Sequence, residues 1–238
     1  MSWVITGAEK TPVDLYRSNV SLLLHGNADG SGNILDSSPS PKTVSKFGNA
    51  ASATPPSYPN SNSLFGNAIA FDGTGDYLSV PNTADFQFES GDFTVETWIY
   101  TASSLTQAIC GKETAGGAAF LFHLSSNTLK INLSSNGSSY SLTLAGTTNL
   151  ALNTWHHVVV VRSGSSANNI KLYTNGSQDG QGTFSGTIFN DSSLFTVGYR
   201  QSASALFFNG YIDDLRITKG VARYTSNFTP PTAPFPDI

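Results

Sequence analysis

The arrangement of apolar and polar positions along the chain predicts β-strands and almost no helix. Short apolar or alternating stretches recur between Gly, Asn, Ser and Pro residues, whereas helical periodicity is nearly absent. Such stretches are typical of strands, in which successive side chains point to opposite faces of a sheet. We predict strands at 20–25, 68–72, 76–80, 92–101, 108–112, 119–124, 128–133, 139–144, 155–162, 169–175, 194–199 and 211–218. This many short strands close more easily into two packed antiparallel sheets than into one open sheet, so an all-β sandwich is expected.

The segments between these strands carry turn residues that favour hairpins. Asn136-Gly137 and Asn175-Gly176 are pairs in which both residues tolerate positive φ, as tight hairpin turns require. The loop at 49–63 contains prolines, which cannot donate a hydrogen bond to a sheet ladder. No internal repeat is evident. We predict an N-terminal arm at residues 1–19, one sandwich domain at 20–218 and an extended C-terminal tail at 219–238.

Composition and charge narrow the function classes. The net charge is −4 and no basic stripe is present, so a nucleic-acid partner is not expected. No apolar run approaches the ~18 residues of a membrane span, and the first residues show neither the basic nor the apolar region of a secretory signal peptide. The single cysteine, Cys110, excludes an intrachain disulfide and is predicted to pack as a small buried hydrophobe.

Several motifs resemble a known family. These are "NAIAFDGTGDYLSVPNTADFQFESGDFTVETWIYT", "NTWHHVVVVRSG", "IKLYTNG" and "FFNGYIDDLRITKGVARYTSNFTPP", and together they resemble the laminin-G-like, concanavalin A-like jelly-roll family from about residue 20 to 230. The resemblance implies a jelly-roll sandwich of two antiparallel sheets. It also implies a binding module for glycans or proteins, in some members with a structural or ligand-bridging calcium. The ending "ITKGVARYTSNFTPPTAPFP" is similar to the endings of virion proteins of tailed bacteriophages.

Two adjacent carboxylates lie in the middle of the last predicted strand. Strict alternation places one set of side chains on the core face, namely Tyr211, Asp213, Leu215 and Ile217. Asp214 then points outward beside Arg216. A carboxylate on the core side needs a partner, because burying an unpaired charge is costly. For Asp213 we expect either a hydrogen-bonded anchor near the closing edge of the sandwich or a calcium ligand.

Further acids flank glycine-rich loops. Asp29 and Asp36 enclose "GSGNIL" after the first strand, and Asp72 and Asp76 enclose "GTG". Such loops offer the carboxylate and carbonyl oxygens that calcium prefers, but short acids also cap turns through their own backbone. If the first and last strands are neighbours, Asp29, Asp36 and Asp213 are the candidate calcium ligands.

Catalytic patterns are missing from the sequence. Concanavalin-like glucanases carry alternating acids on one strand, which this chain lacks, and glycoside hydrolysis needs two facing carboxylates. His156 and His157 are adjacent on a strand, so they point to opposite faces and cannot chelate one ion. No G-x-S-x-G elbow is present. We therefore expect no enzyme.

Aromatic residues near loops offer the other route to function, because sugars dock on aromatic faces. Most aromatics are expected in the core. Tyr199 and Arg200 follow "LFTVG" at a strand end and are the predicted ligand-binding residues.

Three functions remain open. The first is a non-enzymatic structural or adhesion protein of a tailed phage (fibre, baseplate or capsid decoration) that binds host glycans or neighbouring subunits. Such a protein resides in the virion and reaches the outside by lysis, without a secretory signal. The alternative is a free-standing carbohydrate-binding, lectin-like module with or without calcium, and a glycoside hydrolase is third. The expected partners are a glycan or cell-surface receptor, other virion subunits and further copies of this chain.

Overall fold

The computed structural model describes residues 13–57, 65–114, 117–203 and 205–237, and the structural statements below concern these residues. Within them, fifteen strands form two sheets in which every pairing is antiparallel. The strands are β1 Val20–Leu24, β2 Ser45–Phe47, β3 Ala51–Ala53, β4 Ala68–Asp72, β5 Tyr77–Val80, β6 Phe93–Thr101, β7 Gln107–Thr114, β8 Gly117–Ser125, β9 Thr128–Leu133, β10 Leu142–Asn149, β11 Trp155–Arg162, β12 Ile170–Thr174, β13 Ser177–Gly182, β14 Phe195–Val197 and β15 Asn209–Lys219. The predicted all-β jelly-roll sandwich is confirmed.

The two sheets differ in how their strands connect. The first sheet has the order β13-β12-β11-β6-β15-β4-β3, with β1 also paired to β15, and the second has the order β10-β9-β8-β7-β14-β5-β2. In the first sheet β11–β13, and in the second β7–β10, are consecutive strands that pair with their neighbours in the chain, whereas β15 and β14 pair with strands from distant parts of the chain. The core lies between the sheets and includes Leu22, Val95, Ile99, Phe122, Ile131, Phe195 and Ile212. Cys110 is fully buried in this core, as predicted.

Most predicted strands are present, and the exceptions have local causes. Strands β2 and β3 were missed because each has only three residues, and β13 because its sequence, SQDGQG, has no apolar residue. β10 lies at Leu142–Asn149 rather than at 139–144. Asn175-Gly176 forms the predicted turn between β12 and β13, with φ of +50° and +79°. Asn136-Gly137 lies instead inside a longer loop between β9 and β10.

A bulge in β15 overturns the faces predicted for the residues before it, whereas Leu215 and Ile217 lie in the core as predicted. The pairing with β6 shifts register between Asp213 and Arg216, and Asp214 has φ +48°. The extra residue reverses the alternation, so Ile212, Leu215 and Ile217 face the core. Tyr211 and Asp213 precede the bulge and belong to the outer side, contrary to the prediction.

The bulge lies where β15 changes its partner along one edge. Residues 209–212 pair with β4 and residues 215–218 pair with β1, so Asp213 and Asp214 fall between the two partner strands. Asp213 is fully buried, and its Oδ1 accepts the N–H of Asp214 at 2.8 Å. Asp214 is also buried rather than outward beside Arg216. Its carboxylate contacts His25 Nδ1 at 2.5 Å and accepts the N–H of Phe235 at 2.9 Å.

The segments on either side of the strands pack on the outer face of the first sheet. Asp14 of the arm contacts Arg216 Nη1 at 3.1 Å and Arg223 Nη2 at 2.7 Å. In the tail, Phe228 packs against Tyr173. Phe235 lies under the guanidinium of Arg216, whose Cζ is 3.5 Å from the centre of the Phe235 ring. The arm and tail are thus joined to the sandwich, although the predicted domain boundaries stay a prediction. None of the helices in this part of the chain is long and apolar enough to cross a membrane.

Candidate functional site

Four aromatic rings form a continuous stack on the outer face of the second sheet. Phe47 of β2 lies opposite Tyr77 of β5, and their rings stack at 4.3 Å with an interplanar angle of 1°. Tyr199, just after β14, stacks on Tyr77 at 4.5 Å, and Phe207 stacks on Tyr199 at 4.9 Å. The adjacency of β2, β5 and β14 brings the first three rings together, and the loop before β15 adds the fourth.

This arrangement limits which rings can receive a ligand face. Tyr199 lies between Tyr77 and Phe207, so both of its faces are covered by other rings. Only the terminal rings of a stack keep a face without a ring neighbour, and among the described residues these rings are Phe47 and Phe207. Tyr199 therefore supports Phe207 from behind. Its predicted contact with a ligand remains a prediction, restricted to its edge and hydroxyl.

Arg200 holds the same loop through a partly buried polar cluster. Arg200 Nε and Nη2 each lie 3.3 Å from Glu113 Oε2, and Nη2 donates to the Tyr140 hydroxyl at 3.1 Å. Tyr140 and Ser202 both donate to Glu113, at 2.9 and 2.6 Å. Burial, together with the Glu113 charge, raises the pKa of Tyr140 to about 12, so its hydroxyl stays protonated. The cluster thus fixes the loop. Arg200 still presents its positive charge at the surface, because 29% of its side chain remains exposed.

A cleft opens at the Phe207 end of the stack, and we call it the Phe207 cleft. It has a volume of about 490 Å³, and its walls include Phe207, Leu105, Ser103, Thr106, Gln107 and Asn209. Gln107 is held rigidly, because its amide donates to Thr101 Oγ1 and Ser103 O and its oxygen accepts the N–H of Asn209 at 2.7 Å. Leu105 is 73% exposed at the rim. The cleft therefore combines apolar side chains with uncharged hydrogen-bonding groups.

The predicted calcium ligands do not come together. Asp36 accepts the N–H groups of Leu23, Ser38 and Lys42 and the Ser38 hydroxyl, and Asp29 accepts from Ser31 and Asn33. Among the described residues no three His, Cys, Asp or Glu side chains form a group that could hold a metal ion. These acids act as turn caps in the structure, and the expectation of calcium stays untested.

The sequence pattern singled out Tyr199 and Arg200 but gave no indication of the rings that contact Tyr199. Phe47, Tyr77 and Phe207 each lie within three residues of a glycine, just as Tyr199 does. An aromatic residue beside a glycine turn was therefore the available local signal. Nothing in the sequence showed that four such positions, spread over 160 residues, meet in one stack.

Comparison with known families and structures supports the fold. The family model described as the concanavalin A-like lectin/glucanases superfamily, of laminin G type, matches residues 72–223. A search of curated protein sequences finds no match.

Solved structures give the same picture. The binding domain of Paraclostridial Mosquitocidal Protein 1 aligns with a TM-score of 0.65 and 14% identity, over 87% of this chain and 50% of that one. Botulinum neurotoxin type C, whose cell entry depends on interaction with two ganglioside molecules, aligns with a TM-score of 0.60 and 18% identity, over 87% and 49%. The botulinum neurotoxin DC binding domain in complex with rat synaptotagmin II has a TM-score of 0.60 and 17% identity, over the same shares. This chain spans about half the length of these neighbours, and at such identities the likeness concerns the fold alone.

Proposed function

The chain belongs to the concanavalin A-like lectin/glucanases superfamily, and we propose that it is a non-enzymatic binding module that takes up a glycan at the Phe207 cleft. One observation carries the proposal. A stack of four rings ends at Phe207, and this terminal ring lines a cleft with uncharged polar walls. The stack fixes the ring before any ligand arrives, which lowers the entropic cost of binding.

The chemistry of the cleft suits a carbohydrate. A sugar ring presents apolar C–H faces together with hydroxyl groups that donate and accept hydrogen bonds. Phe207 and Leu105 offer apolar contact, and Ser103, Thr106 and Asn209 offer hydroxyl and amide groups. No charged residue lines the cleft among the described residues, and Arg200 supplies the nearby cation. We therefore propose an uncharged or weakly acidic glycan.

The absence of catalysis is part of the proposal. Glycoside hydrolysis requires two carboxyl groups on opposite sides of the scissile bond. The described lining of the Phe207 cleft contains neither Asp nor Glu. The neighbouring structures are those of binding domains, which supports the same view.

We further propose that the module serves adhesion on a tailed-phage particle, in a fibre, baseplate or capsid decoration. The support is the sequence ending, which is similar to those of phage virion proteins. Many copies on one particle would offset a weak single-site affinity through multivalency. A free-standing lectin-like module is the second candidate. It is supported by the similar fold of botulinum neurotoxin type C, whose cell entry depends on interaction with two ganglioside molecules. Mass spectrometry of purified particles separates the two: detection of the chain in particles supports the virion role, and its absence from them supports the free module.

A glycan array tests the binding proposal. The intact protein should bind a defined subset of glycans, and Phe207→Ala should weaken this binding by roughly tenfold or more, about 1.4 kcal/mol. The matched control is Phe189→Ala, a 37% exposed ring that does not line the cleft. A second array measurement in the presence of EDTA tests whether glycan binding requires calcium. Binding by the Phe207→Ala variant equal to that of the intact protein would contradict the proposed site.

A further inference from the structure

A second cleft adjoins the Phe207 cleft at the same end of the sandwich. Its volume is about 370 Å³, and its walls include Tyr100, Tyr211, Asn49, Asp72 and Asn209. We call it the Tyr211 cleft. Asn209 lines both clefts, so the two clefts meet at this residue.

We propose that the ligand is an oligosaccharide whose neighbouring sugar units occupy the two clefts, with the Asn209 amide hydrogen-bonding to both units. The inference rests on the proposed glycan-binding function and specifies its ligand class. It also assigns the residues that recognise the second unit.

The Tyr211 cleft has a rigid aromatic corner. Tyr100 of β6 and Tyr211 of β15 are cross-strand neighbours, and their rings meet edge to face at 5.9 Å and 77°. Trp155 lies behind them, with its ring 5.6 Å from Tyr100 and 6.4 Å from Tyr211. Both tyrosines remain only half-buried. A corner of this kind presents an apolar surface to a sugar ring without reordering.

Hydrogen-bonding groups surround the corner and remain available. Asp72 is exposed, and among the described residues its carboxylate accepts only the N–H of Thr74, at 2.7 Å. Asn49 and Asn209 donate their backbone N–H groups to Asp76 and Gln107, and within the same part of the chain their side-chain amides make no hydrogen bond. A carboxylate accepts from hydroxyl groups, whereas an amide both donates and accepts. Asp72 and the two asparagines therefore match the hydroxyl groups of an uncharged sugar.

Asp76 has a different task in the same loop. It is almost completely buried, and its two oxygens accept the N–H groups of Asn49 and Asp72, at 2.5 and 3.0 Å. Asp76 thus fixes the backbone that carries Asn49 and Asp72.

Two glycines allow close packing around Asn209 where the clefts meet. Gly73 has φ +86°, and a Cβ there would lie 3.0 Å from the Asn209 side chain. Gly210 has φ +136°, and a Cβ there would lie 1.9 Å from the Tyr100 carbonyl oxygen. Asn209 and Asp72 are register partners of β15 and β4. Any larger residue at 73 or 210 would displace Asn209 or the strand that carries it.

Adjacent subsites predict a dependence on ligand length. Two linked sugar units bind as one molecule, so the second contact acts at a high effective concentration. A disaccharide should therefore bind at least about tenfold more tightly than either of its units.

Calorimetric titration tests the inference with defined mono-, di- and trisaccharides of glucose, galactose and N-acetylglucosamine. We expect Asp72→Ala and Tyr211→Ala each to reduce the affinity for the preferred disaccharide towards the level of the monosaccharide. Monosaccharide binding at the Phe207 cleft should stay unchanged. Asn209→Ala should weaken both. The control is Asp85→Ala, which removes an exposed acid outside both clefts, and thermal melting confirms that each variant is folded.

The outcomes distinguish this inference from the proposed function. Equal affinity for mono- and disaccharides, or wild-type disaccharide affinity in either Asp72→Ala or Tyr211→Ala, would overturn the two-subsite arrangement and leave glycan binding intact. Because Asp72→Ala removes only an exposed side chain, it decides the point even if Tyr211→Ala fails to fold. A protein that binds no saccharide in the panel or on the array contradicts both.

Discussion

The tail-covered region of the first sheet and the aromatic stack on the second sheet contain similar side chains. They differ in how far these side chains are exposed to solvent. Both have phenylalanines and tyrosines in ring contact, and both have an arginine paired with a glutamate. On the first sheet, the arm and tail enclose the Arg216–Glu96 pair, in which the side chains are 6% and 0% exposed. On the second sheet, Arg200 stays 29% exposed beside Glu113, and the stack ends at an open cleft. A charged pair therefore indicates a ligand site only where the rest of the chain leaves it exposed to solvent.

The largest expected effect comes from breaking the enclosed charges. Glu96 contacts Arg216 at 2.8 Å, and the Tyr224 hydroxyl donates to it at 2.8 Å. Burial alone would raise the pKa of Glu96, but the Arg216 charge and His157 hold it at about 2. Glu96→Ala leaves Arg216 buried without this partner and should lower the free energy of unfolding by roughly 3–5 kcal/mol. Urea denaturation measures this change, with Asp85→Asn as a surface control expected to stay within about 1 kcal/mol.

Phenylalanines on the two sheets should separate stability from binding. Phe235 packs against Val20 and Leu23 and lies under Arg216. Phe235→Ala should cost roughly 2–4 kcal/mol of unfolding free energy and leave glycan affinity unchanged. Phe207→Ala should show the opposite pattern, with a loss of affinity and a smaller loss of stability. Denaturation and array binding of both variants check this, and a loss of affinity in Phe235→Ala would break the distinction.

The tail contact at His25 should make stability depend on alkaline pH. Nδ1 of His25 contacts Asp214 at 2.5 Å, and Nε2 contacts Asp237 at 2.6 Å. Burial alone would lower the pKa of His25, but these two carboxylates raise it from 6.5 to about 9. A raised pKa adds stability that is complete below pH 6.5 and is lost as the pH rises through about 9. Unfolding followed from pH 6 to 10 should show a loss of up to about 3 kcal/mol, and His25→Gln should flatten this part of the profile.

The smallest expected effect tests how Tyr199 acts. Tyr199→Phe keeps the ring between Tyr77 and Phe207 and removes only the hydroxyl. If the ring acts as a support, unfolding free energy should change by less than about 0.5 kcal/mol and glycan affinity should not change. A clear fall in affinity at unchanged stability would instead show that the hydroxyl contacts the ligand. Calorimetry on this variant therefore decides between the two roles.

Strands with strong local patterns could be predicted from sequence, whereas features built from long-range contacts could not. β9 and β11 were predicted with their observed bounds, because their apolar patterns are strong. The polar strand β13 is held by its pairing with β12, which composition does not reveal. One bulge residue put the first half of β15 on the wrong faces in the prediction, because a period of two cannot anticipate an insertion. Leu215 and Ile217 after the bulge lie in the core as predicted.

The candidate site shows the same limit. Tyr199 and Arg200 could be selected because they follow a strand and a glycine. The covering of Tyr199 on both faces depends on Tyr77 and Phe207, which belong to other elements of the fold. Likewise, Asp29, Asp36 and Asp213 lie on loops and a strand where the sequence allowed a calcium site. In the structure each carboxylate accepts a hydrogen bond from a nearby backbone N–H group.

The position of β15 has a consequence for how the protein reaches its fold. This strand pairs with β6 along one edge and with β4 and then β1 along the other, although β1 lies almost 200 residues earlier. During synthesis, β1 and β4 therefore cannot pair with β15 until residues 209–219 have been made, and the first sheet cannot be completed earlier. Contacts so distant in sequence are associated with slow folding and with exposed strand edges in the waiting chain. Refolding should accordingly be slow for a chain of this size, and shortening it before β15 should yield aggregates rather than a smaller folded unit.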